Sequence, residues 1–398
     1  MKGLIGCIFI NKDRLAINIF NQKGECLFYK DQSVRCFNEF LAVVDVKTFK
    51  NIVVLLITEA EKALEQILLD FILILDGCKI ECREAEITRQ FRRPRKITRV
   101  DIETFEKKAK EVVFDADIST FVMRPSKILF ENEEVHYSIP FENSFLQMQM
   151  FLMLLGFNAT TFTNLTNILS ECKINIIGAA NSSVLAASEY ISSSTNEEEE
   201  RMVFINLEYN CSSILVVKEA SFVYYTNIDI GFDDLITKIA EKLEVKHVDA
   251  LKILKQNFLQ GSQPQPKVDA LEELDNQTIF ELSTIVNQHH NAIISACINK
   301  YIEAQNKHNI LSETSKEFFD VILCGTYNSY ITPLNLTKLD NATISIKNYL
   351  YNFTALPNEQ PENNKNKLCD PMFLVMWHKS LQTSLASKTY QFIKKLFE

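Results

Sequence analysis

Glycine is scarce in this sequence. Nine glycines occur in 398 residues, which is about 2% where about 7% is usual in proteins. Loops that wrap a phosphate in backbone N–H groups need residues without a Cβ, generally two or three close together. Only Gly3 and Gly6 lie within three residues of each other. Abundant Asn and Lys indicate an AT-rich genome, which also disfavours glycine codons. Composition therefore leaves open whether the scarcity reflects drift or lost phosphate binding.

The sequence also lacks paired cysteines and an excess of positive charge. Its ten cysteines form no Cys-x-x-Cys pair, and Cys78 and Cys82 are the only close couple. A zinc site would need a second pair at ligand spacing, so no metal is predicted. The cysteines are typical of reduced thiols in a cytosolic protein. The net charge of −9 excludes nucleic acid as the main partner, because phosphate affinity requires a basic surface.

Long apolar runs are absent as well. A helix that spans a membrane needs about 18 or more consecutive apolar residues. The best candidates, residues 66–75 and 145–157, are interrupted by Asp70 or too short. The N-terminus carries Lys2 without a small-residue cleavage site, so no signal peptide is predicted.

The strongest structural pattern lies between residues 202 and 258. Three short apolar runs rich in β-branched and aromatic residues are separated by turn residues, which predicts consecutive strands of an antiparallel meander. The three runs are residues 202–205, 214–217 and 222–225. Apolar residues at helical spacing then predict amphipathic helices at 233–243 and 248–258. The chain is therefore expected to have an α/β fold.

Weaker patterns predict the remaining elements. The predicted strands are residues 3–10 and 15–20, which would pair as a hairpin, and 52–56, 78–90, 120–123, 136–139, 174–178 and 321–326. The predicted helices are residues 59–69, 99–109, 164–172, 179–190, 277–304 and 371–398. The basic stretch 89–96 is expected to be a loop, either a solvated hairpin tip or an interaction patch.

The order strand, turn, strand, strand, glycine, helix, helix resembles the second half of actin-like ATPases, and FtsA of bacterial cell division in particular. Residues 97–102, Ile-Thr-Arg-Val-Asp-Ile, resemble the Ile-Thr-x-x-Asp-Ile motif that begins a helix of the inserted 1C domain of FtsA. Thr98 is a good N-cap residue, and Asp101 three positions later makes a variant of the capping box. The resemblance implies an actin-like (ASKHA) two-lobed fold with an FtsA-type 1C insertion in the first lobe.

The resemblance also implies a division of the chain. The expected regions are lobe 1A over 1–83 and 164–198, the 1C domain over 84–163, lobe 2A over 199–234 and 319–365, lobe 2B over 235–318, a closing 1A helix over 366–384, and an amphipathic C-terminal helix over 385–398. The Ser/Thr and Glu-rich stretch 192–200 is the expected boundary between the lobes.

Three turns correspond to the nucleotide-binding turns of FtsA, and all three are eroded. Asn206 stands where the family has Asp, and Glu208 and Tyr209 stand where it has glycine. The nucleotide positions implied by resemblance are Gly6, Asn11, Lys12, Asn206, Asn210, Cys211, Ser212, Gly231, Lys252, Lys255, Gly325 and Thr326. The sequence predicts a degenerate ATPase site with no catalytic residue. Binding of ATP and Mg²⁺ is implied only by the resemblance.

The last 14 residues are predicted to form an amphipathic helix. At 100° per residue its apolar side chains fall within an arc of roughly 160°, and lysines fill the opposite side. The residues predicted to bind a membrane are Leu385, Lys388, Phe392, Ile393, Lys394, Lys395, Leu396 and Phe397. This composition is typical of a helix lying on an anionic membrane surface. An ordinary last helix packed on the first lobe has the same pattern.

The resemblance implies an adaptor that tethers FtsZ polymers to the inner face of the cytoplasmic membrane at the division site. Its expected partners are the C-terminal tail of FtsZ, bound by residues 235–318, and the anionic membrane surface. Self-association into oligomers or filaments is also expected.

Three alternatives remain open. A PilM-like adaptor shares the fold and the inserted domain but holds the cytoplasmic tail of a membrane protein. A working ATPase of the sugar-kinase or chaperone kind would need intact glycine turns and a carboxylate for Mg²⁺. An actin-fold scaffold with some other partner is the third.

Overall fold

The computed structural model describes residues 4–21, 26–38, 40–112, 117–131, 135–136, 143–193, 201–218, 221–258, 275–307, 317–324, 337–339 and 342–348. Of these, the residues within 1–201 and 215–225 form one compact unit. Those within 202–214 and 226–350 form a second. Within the described ranges, no helix is long and apolar enough to cross a membrane.

The strands are β1 (Ile5–Ile10), β2 (Arg14–Phe20), β3 (Cys26–Ser33), β4 (Asp70–Leu75), β5 (Glu81–Lys96), β6 (Ile118–Phe130), β7 (Val135–His136), β8 (Ser144–Asn158), β9 (Asn175–Ala180), β10 (Arg201–Leu207), β11 (Ser212–Lys218), β12 (Ser221–Ile228), β13 (Glu317–Cys324), β14 (Thr337–Leu339) and β15 (Ala342–Asn348). The helices are α1 (Val46–Leu64), α2 (Arg99–Val112), α3 (Ala159–Glu171), α4 (Ser182–Ser193), α5 (Phe232–Leu243), α6 (His247–Phe258) and α7 (Asn276–Lys307).

The first sheet has the order β3-β2-β1-β4-β9. β1 pairs antiparallel with β2, which confirms the predicted hairpin over the described residues. β1 and β4 pair in parallel, and so do β4 and β9. The carboxyl ends of β1, β4 and β9 therefore lie at one edge of this sheet.

The predicted strand at residues 52–56 is wrong, because these residues lie inside α1. Their β-branched side chains favour a strand when considered alone. Residues at helical spacing along this segment are nevertheless buried, namely Phe49, Val53, Leu56, Ile57 and Ala60. The packing of this apolar face outweighs the local preference. The predicted helix at 59–69 is correct only as far as Leu64, and the unpredicted strand β4 follows.

An insertion separates β4 from β9 along the chain. Its four-stranded sheet has the order β5-β8-β6-β7, and α2 packs on it through Ile102, Phe105 and Ala109. The basic stretch 89–96 belongs to β5, so the prediction of a loop is wrong. The pairing of β5 with β8 does shift its register between Gln90 and Arg95.

The second sheet has the order β12-β11-β10-β13-β15-β14. The three strands predicted from residues 202–225 are neighbours in it, as expected. β13 pairs in parallel with β10 and with β15. The predicted amphipathic helices correspond to α5 and α6, which share a core with α7 built from Leu235, Ile239, Leu254, Leu282 and Val286.

Several predicted features lie outside the described residues. These are most of the Glu-rich stretch 192–200, the turn with Gly325 and Thr326, and all of residues 349–398 including the C-terminal helix.

Candidate functional site

The turn between β10 and β11 is where the sequence places the main nucleotide-binding segment. Asn206, near the end of β10, is fully buried, and Glu208 is 3% exposed. The side-chain amide of Asn206 donates a hydrogen bond to the carboxylate of Glu208. Among the described residues, Oδ1 of Asn206 has no hydrogen-bond partner. The turn therefore buries the carboxylate of Glu208 against the amide of Asn206.

The backbone of this turn closes onto the start of α5. The N–H of Phe232 donates to the carbonyl of Glu208 at 2.9 Å, and the N–H of Asp233 donates to the carbonyl of Tyr209 at 2.8 Å. The N–H of Gly231 donates to the side chain of Asp234 at 2.7 Å. The first N–H groups of a helix are the usual donors to a bound anion. Here three of those groups already have partners within the chain.

Gly231 allows this close contact. A Cβ at this position would lie 2.3 Å from the carbonyl oxygen of Tyr209 and 2.5 Å from the carbonyl carbon of Asn210. The hydroxyl of Ser212 donates to the carbonyl of Ile230 at 2.8 Å. This bond holds the turn after β10 against the residues that precede α5. Gly231 is therefore needed where two chain segments meet.

Tyr209 packs into the protein. It is 7% exposed and belongs to the apolar cluster that includes Phe232 and Leu235. In the resemblance to FtsA, this position corresponds to a glycine of a nucleotide-binding turn. In the structure it anchors the turn to α5.

Two buried histidines of α7 lie behind the turn. Nε2 of His289 is 2.9 Å from the carbonyl oxygen of Gly231, so it carries the proton and donates. Its Nδ1 then accepts from the ammonium of Lys238 at 3.4 Å. Burial, and then the charge of Lys238, lower the pKa of His289. Burial lowers the pKa of His290 to about 3, and its Nδ1 has no hydrogen-bond partner among the described residues.

The histidines line a small cavity. Its other lining residues are Leu207, Ser212, Phe232 and Ile293. The described residues hold no group of three or more His, Cys, Asp or Glu side chains placed to bind a metal ion. Sequence reasoning missed the role of His289 in holding Gly231. The available signal was a histidine pair on a helix that otherwise buries apolar residues.

The first unit holds the turn after β1, which the sequence assigned to the first phosphate contact. Gly6 lies within β1, and a Cβ there would meet the ring of Phe71 at 2.2 Å. The N–H of Asn11 donates to the carbonyl of Arg14 at 3.0 Å, and its Oδ1 accepts from the N–H of Asp13 at 3.2 Å. Lys12 is half-buried in this tight turn.

Sequence reasoning missed a buried polar cluster at the same edge of the first sheet. Asp76 follows β4, is 2% exposed, and accepts from the N–H of Ser182 at 2.9 Å and from its hydroxyl. Fully buried Asn181 accepts from the N–H of Val184 at 3.1 Å. Its amide donates to the hydroxyl of Ser183 at 2.9 Å. Carboxyl ends of parallel strands are the usual ligand sites of α/β sheets.

The other described residues that were predicted to bind nucleotide lie on α6 and in the turn between β10 and β11. Lys252 forms an exposed ion pair with Asp249 at 3.0 Å, and Lys255 lies on α6. Cys211 is buried in the turn, and Asn210 is half-buried. Gly325, Thr326 and every predicted membrane-binding residue lie outside the described residues.

The chain has the α/β fold of actin-like ATPases. The structure of a PilM–PilN type IV pilus biogenesis complex matches it with a TM-score of 0.55 and 10% identity, covering 96% of this chain and 98% of that one. EutJ, an ethanolamine utilization protein from Carboxydothermus hydrogenoformans, matches with a TM-score of 0.39 and 9% identity, covering 81% of this chain and 77% of that one. MreB5 of Spiroplasma citri bound to ADP matches with a TM-score of 0.38 and 8% identity, covering 82% and 86%.

These likenesses concern the fold alone, because the sequence identities are low. No protein-family model matches the sequence, and no curated protein matches it.

Proposed function

We propose that this protein is an actin-fold adaptor that holds the tail peptide of a partner and does not hydrolyse ATP. The observation that carries the proposal is the closed turn at the start of α5. The N–H groups of Gly231, Phe232 and Asp233 are bonded to Asp234, Glu208 and Tyr209. A phosphate at this helix terminus would have to displace those bonds.

Charge supports the same conclusion. Asn206 has the shape of an aspartate but no negative charge to hold Mg²⁺. Glu208 adds a buried carboxylate beside the place of the phosphates, where a like charge in a poorly solvated site opposes binding. Asp233 and Asp234 add two more acids in the first turn of α5.

Calorimetry with ATP and Mg²⁺ tests the proposal on the full chain. We expect no binding tighter than about 1 mM, which corresponds to about 4 kcal/mol. Glu208→Gln removes the buried charge and is expected to bind ATP more tightly than the unsubstituted protein. Glu241→Gln, an exposed position on α5, is the matched control and is expected to change nothing. Micromolar binding by the unsubstituted protein would overturn the proposal.

Two partner classes follow, and each has its own support. The likeness to PilM in a complex with PilN extends over nearly the full length of both chains. This supports a partner that is a membrane protein with a short cytoplasmic tail. The motif at residues 97–102 and the order of elements support the other partner, the C-terminal tail of FtsZ. As an adaptor for FtsZ, the protein self-associates and lies on the cytoplasmic membrane at the division site.

The surface proposed for an acidic or apolar tail includes Lys242, Lys246 and Lys252. Lys242 pairs with Glu281 at 2.8 Å, and Lys252 pairs with Asp249. Exposed pairs of this kind are worth about 0–1 kcal/mol, so a tail carboxylate can compete for both lysines. Val248 of α6, which is 52% exposed, supplies an apolar side chain to this surface.

A pull-down with the tail of the FtsZ from the same organism, and separately with the cytoplasmic tail of a PilN-like protein, distinguishes the partners. The double change Lys242→Glu/Lys246→Glu is expected to abolish capture of whichever tail binds. Lys107→Glu/Lys108→Glu, on exposed positions of α2, is expected to leave capture unchanged. Failure of both tails to bind at high micromolar concentration counts against the adaptor function.

A further inference from the structure

The strand β5 presents a break at the edge of the inserted sheet. In the described part of the chain, β5 has a strand neighbour on one side only, β8. Its pairing with β8 runs from Glu81 to Gln90 and resumes at Arg95. Residues 91–94 have no partner in that register. They form a bulge, and bulges redirect side chains at sheet edges.

The two ends of this bulge are held by one buried carboxylate. Asp101 on α2 accepts from Nη1 of Arg89 at 2.8 Å and from Nη1 of Arg95 at 2.9 Å. Both guanidinium groups also lie over the ring of Phe91, at 5.4 Å and 4.3 Å from its centroid. Phe91 itself is 8% exposed. These contacts fix the conformation of the bulge.

The tip of the bulge carries two exposed arginines. Arg92 and Arg93 are exposed, and neither forms a hydrogen bond or an ion pair with any other described residue. Arg89 and Arg95, by contrast, share Asp101. The bulge therefore concentrates positive charge on a chain whose net charge is −9.

We infer that residues 91–94 form a docking site for an extended acidic peptide segment of a partner protein. A guanidinium group pairs with a carboxylate through two parallel hydrogen bonds. A site held in advance loses less entropy on binding. Among the described strands, the outer edge of β5 is unpaired, and such an edge offers backbone groups to an extended chain.

The surroundings favour a peptide over an anionic membrane. Glu84 and Glu86 are exposed on the same strand. Glu86 is about 20 Å from Arg92 along the strand, at about 3.3 Å per residue. Glu103 is exposed on α2. A planar anionic surface would meet these acids, whereas a segment of a few residues would not. This interaction is separate from the proposed tail-binding surface, which lies on α5 and α6.

Fluorescence polarisation of labelled hexaglutamate with the full chain tests the inference, with hexaglutamine as the uncharged probe. We expect hexaglutamate to bind and hexaglutamine not to bind. Arg92→Glu/Arg93→Glu is expected to weaken binding about tenfold or more, because attraction becomes repulsion. Lys107→Glu/Lys108→Glu makes the same charge change on α2 and is expected to weaken it less than about twofold.

Several outcomes would overturn the inference. Equal weakening by both double variants would mean that net charge alone drives binding. Absence of hexaglutamate binding would also overturn the inference. Arginine-dependent flotation with phosphatidylglycerol vesicles, without binding of hexaglutamate, would assign the bulge to lipid. Because Arg92 and Arg93 lose no hydrogen bond or ion pair to the described residues, the thermal unfolding of their double variant is expected to match the unsubstituted protein. If it does not, Arg92→Gln/Arg93→Gln replaces it.

Discussion

The imidazole of His289 donates to the carbonyl oxygen of Gly231 across 2.9 Å, although the two residues are 58 positions apart. This hydrogen bond joins α7 to the start of α5, where the turn after β10 also closes. Because both histidine nitrogens are engaged, one by Gly231 and one by Lys238, the side chain has a fixed orientation.

Replacing His289 is expected to destabilise the second unit. His289→Phe leaves the carbonyl of Gly231 without its donor in a buried place, which costs about 1–3 kcal/mol of unfolding free energy. Urea unfolding measures the loss. His290→Phe is the matched control, because Nδ1 of His290 has no hydrogen-bond partner among the described residues. Equal losses in the two variants would show that the bond to Gly231 contributes nothing specific.

Stability is expected to fall as the pH falls below neutrality. Burial depresses the pKa of His290 to about 3 from an ordinary 6.5, so the unfolded chain binds a proton that the folded chain does not. Full stability is therefore present above pH 6.5, and it declines as the pH falls from there toward 3. The slope for one such histidine is at most about 1.4 kcal/mol per pH unit. Urea unfolding between pH 8 and pH 5 is expected to show this decline. His290→Phe is expected to reduce it, and the lowered pKa of His289 accounts for the remainder.

Gly231→Ala is expected to destabilise the protein more than Gly77→Ala does. Its Cβ would meet backbone atoms of residues 209–211 within 2.6 Å, and the backbone cannot yield as a flexible side chain can. Overpacking of this kind costs about 1–3 kcal/mol or more. Gly77→Ala meets nothing within 4 Å but carries the strain of a φ of 97°, about 1 kcal/mol or more. Thermal unfolding compares the two, and a smaller loss at Gly231 would contradict the geometry.

Asp101→Asn is expected to loosen the inserted domain. The variant leaves Arg89 and Arg95, which are 36% and 40% exposed, without their shared carboxylate. Loss of a hydrogen bond to a charged group costs about 1.5–3 kcal/mol. Burial by itself raises the pKa of Asp101, but hydrogen bonds from Arg95 and Thr98 outweigh it and lower the pKa below 3.8. The stabilisation is therefore present above pH 3.8 and is lost as the pH falls through the lower folded value. Acid unfolding followed by circular dichroism is expected to show this loss in the unsubstituted protein only.

Residues 385–398, which lie outside the described residues, are predicted to bind an anionic membrane surface. Lysines on the polar face would each add about 1 kcal/mol near such a surface, and salt would weaken that part. Flotation with phosphatidylglycerol vesicles is expected to require these residues. Unchanged flotation after truncation would remove the anchor from the proposed function. So would loss of the folded state on truncation, because the helix would then belong to the core.

Local sequence patterns were sufficient to predict the strands and helices between residues 202 and 258 and the start of α2. Strand and helix periodicities depend on neighbours within a few residues. The bond from the N–H of Thr98 to Asp101, at 2.9 Å, likewise spans a single turn. The eroded composition of the turn after β10 was also visible in the sequence itself.

Only the tertiary structure decided how distant segments meet. Residues 52–56 form a helix because one face of α1 is buried, and residues 89–96 extend along β8 because that strand lies beside them. Asp76 bonds to Ser182, 106 positions away, and His289 bonds to Gly231. No local pattern contains these contacts, because a hydrogen-bond partner far along the chain depends on which strands and helices pack together.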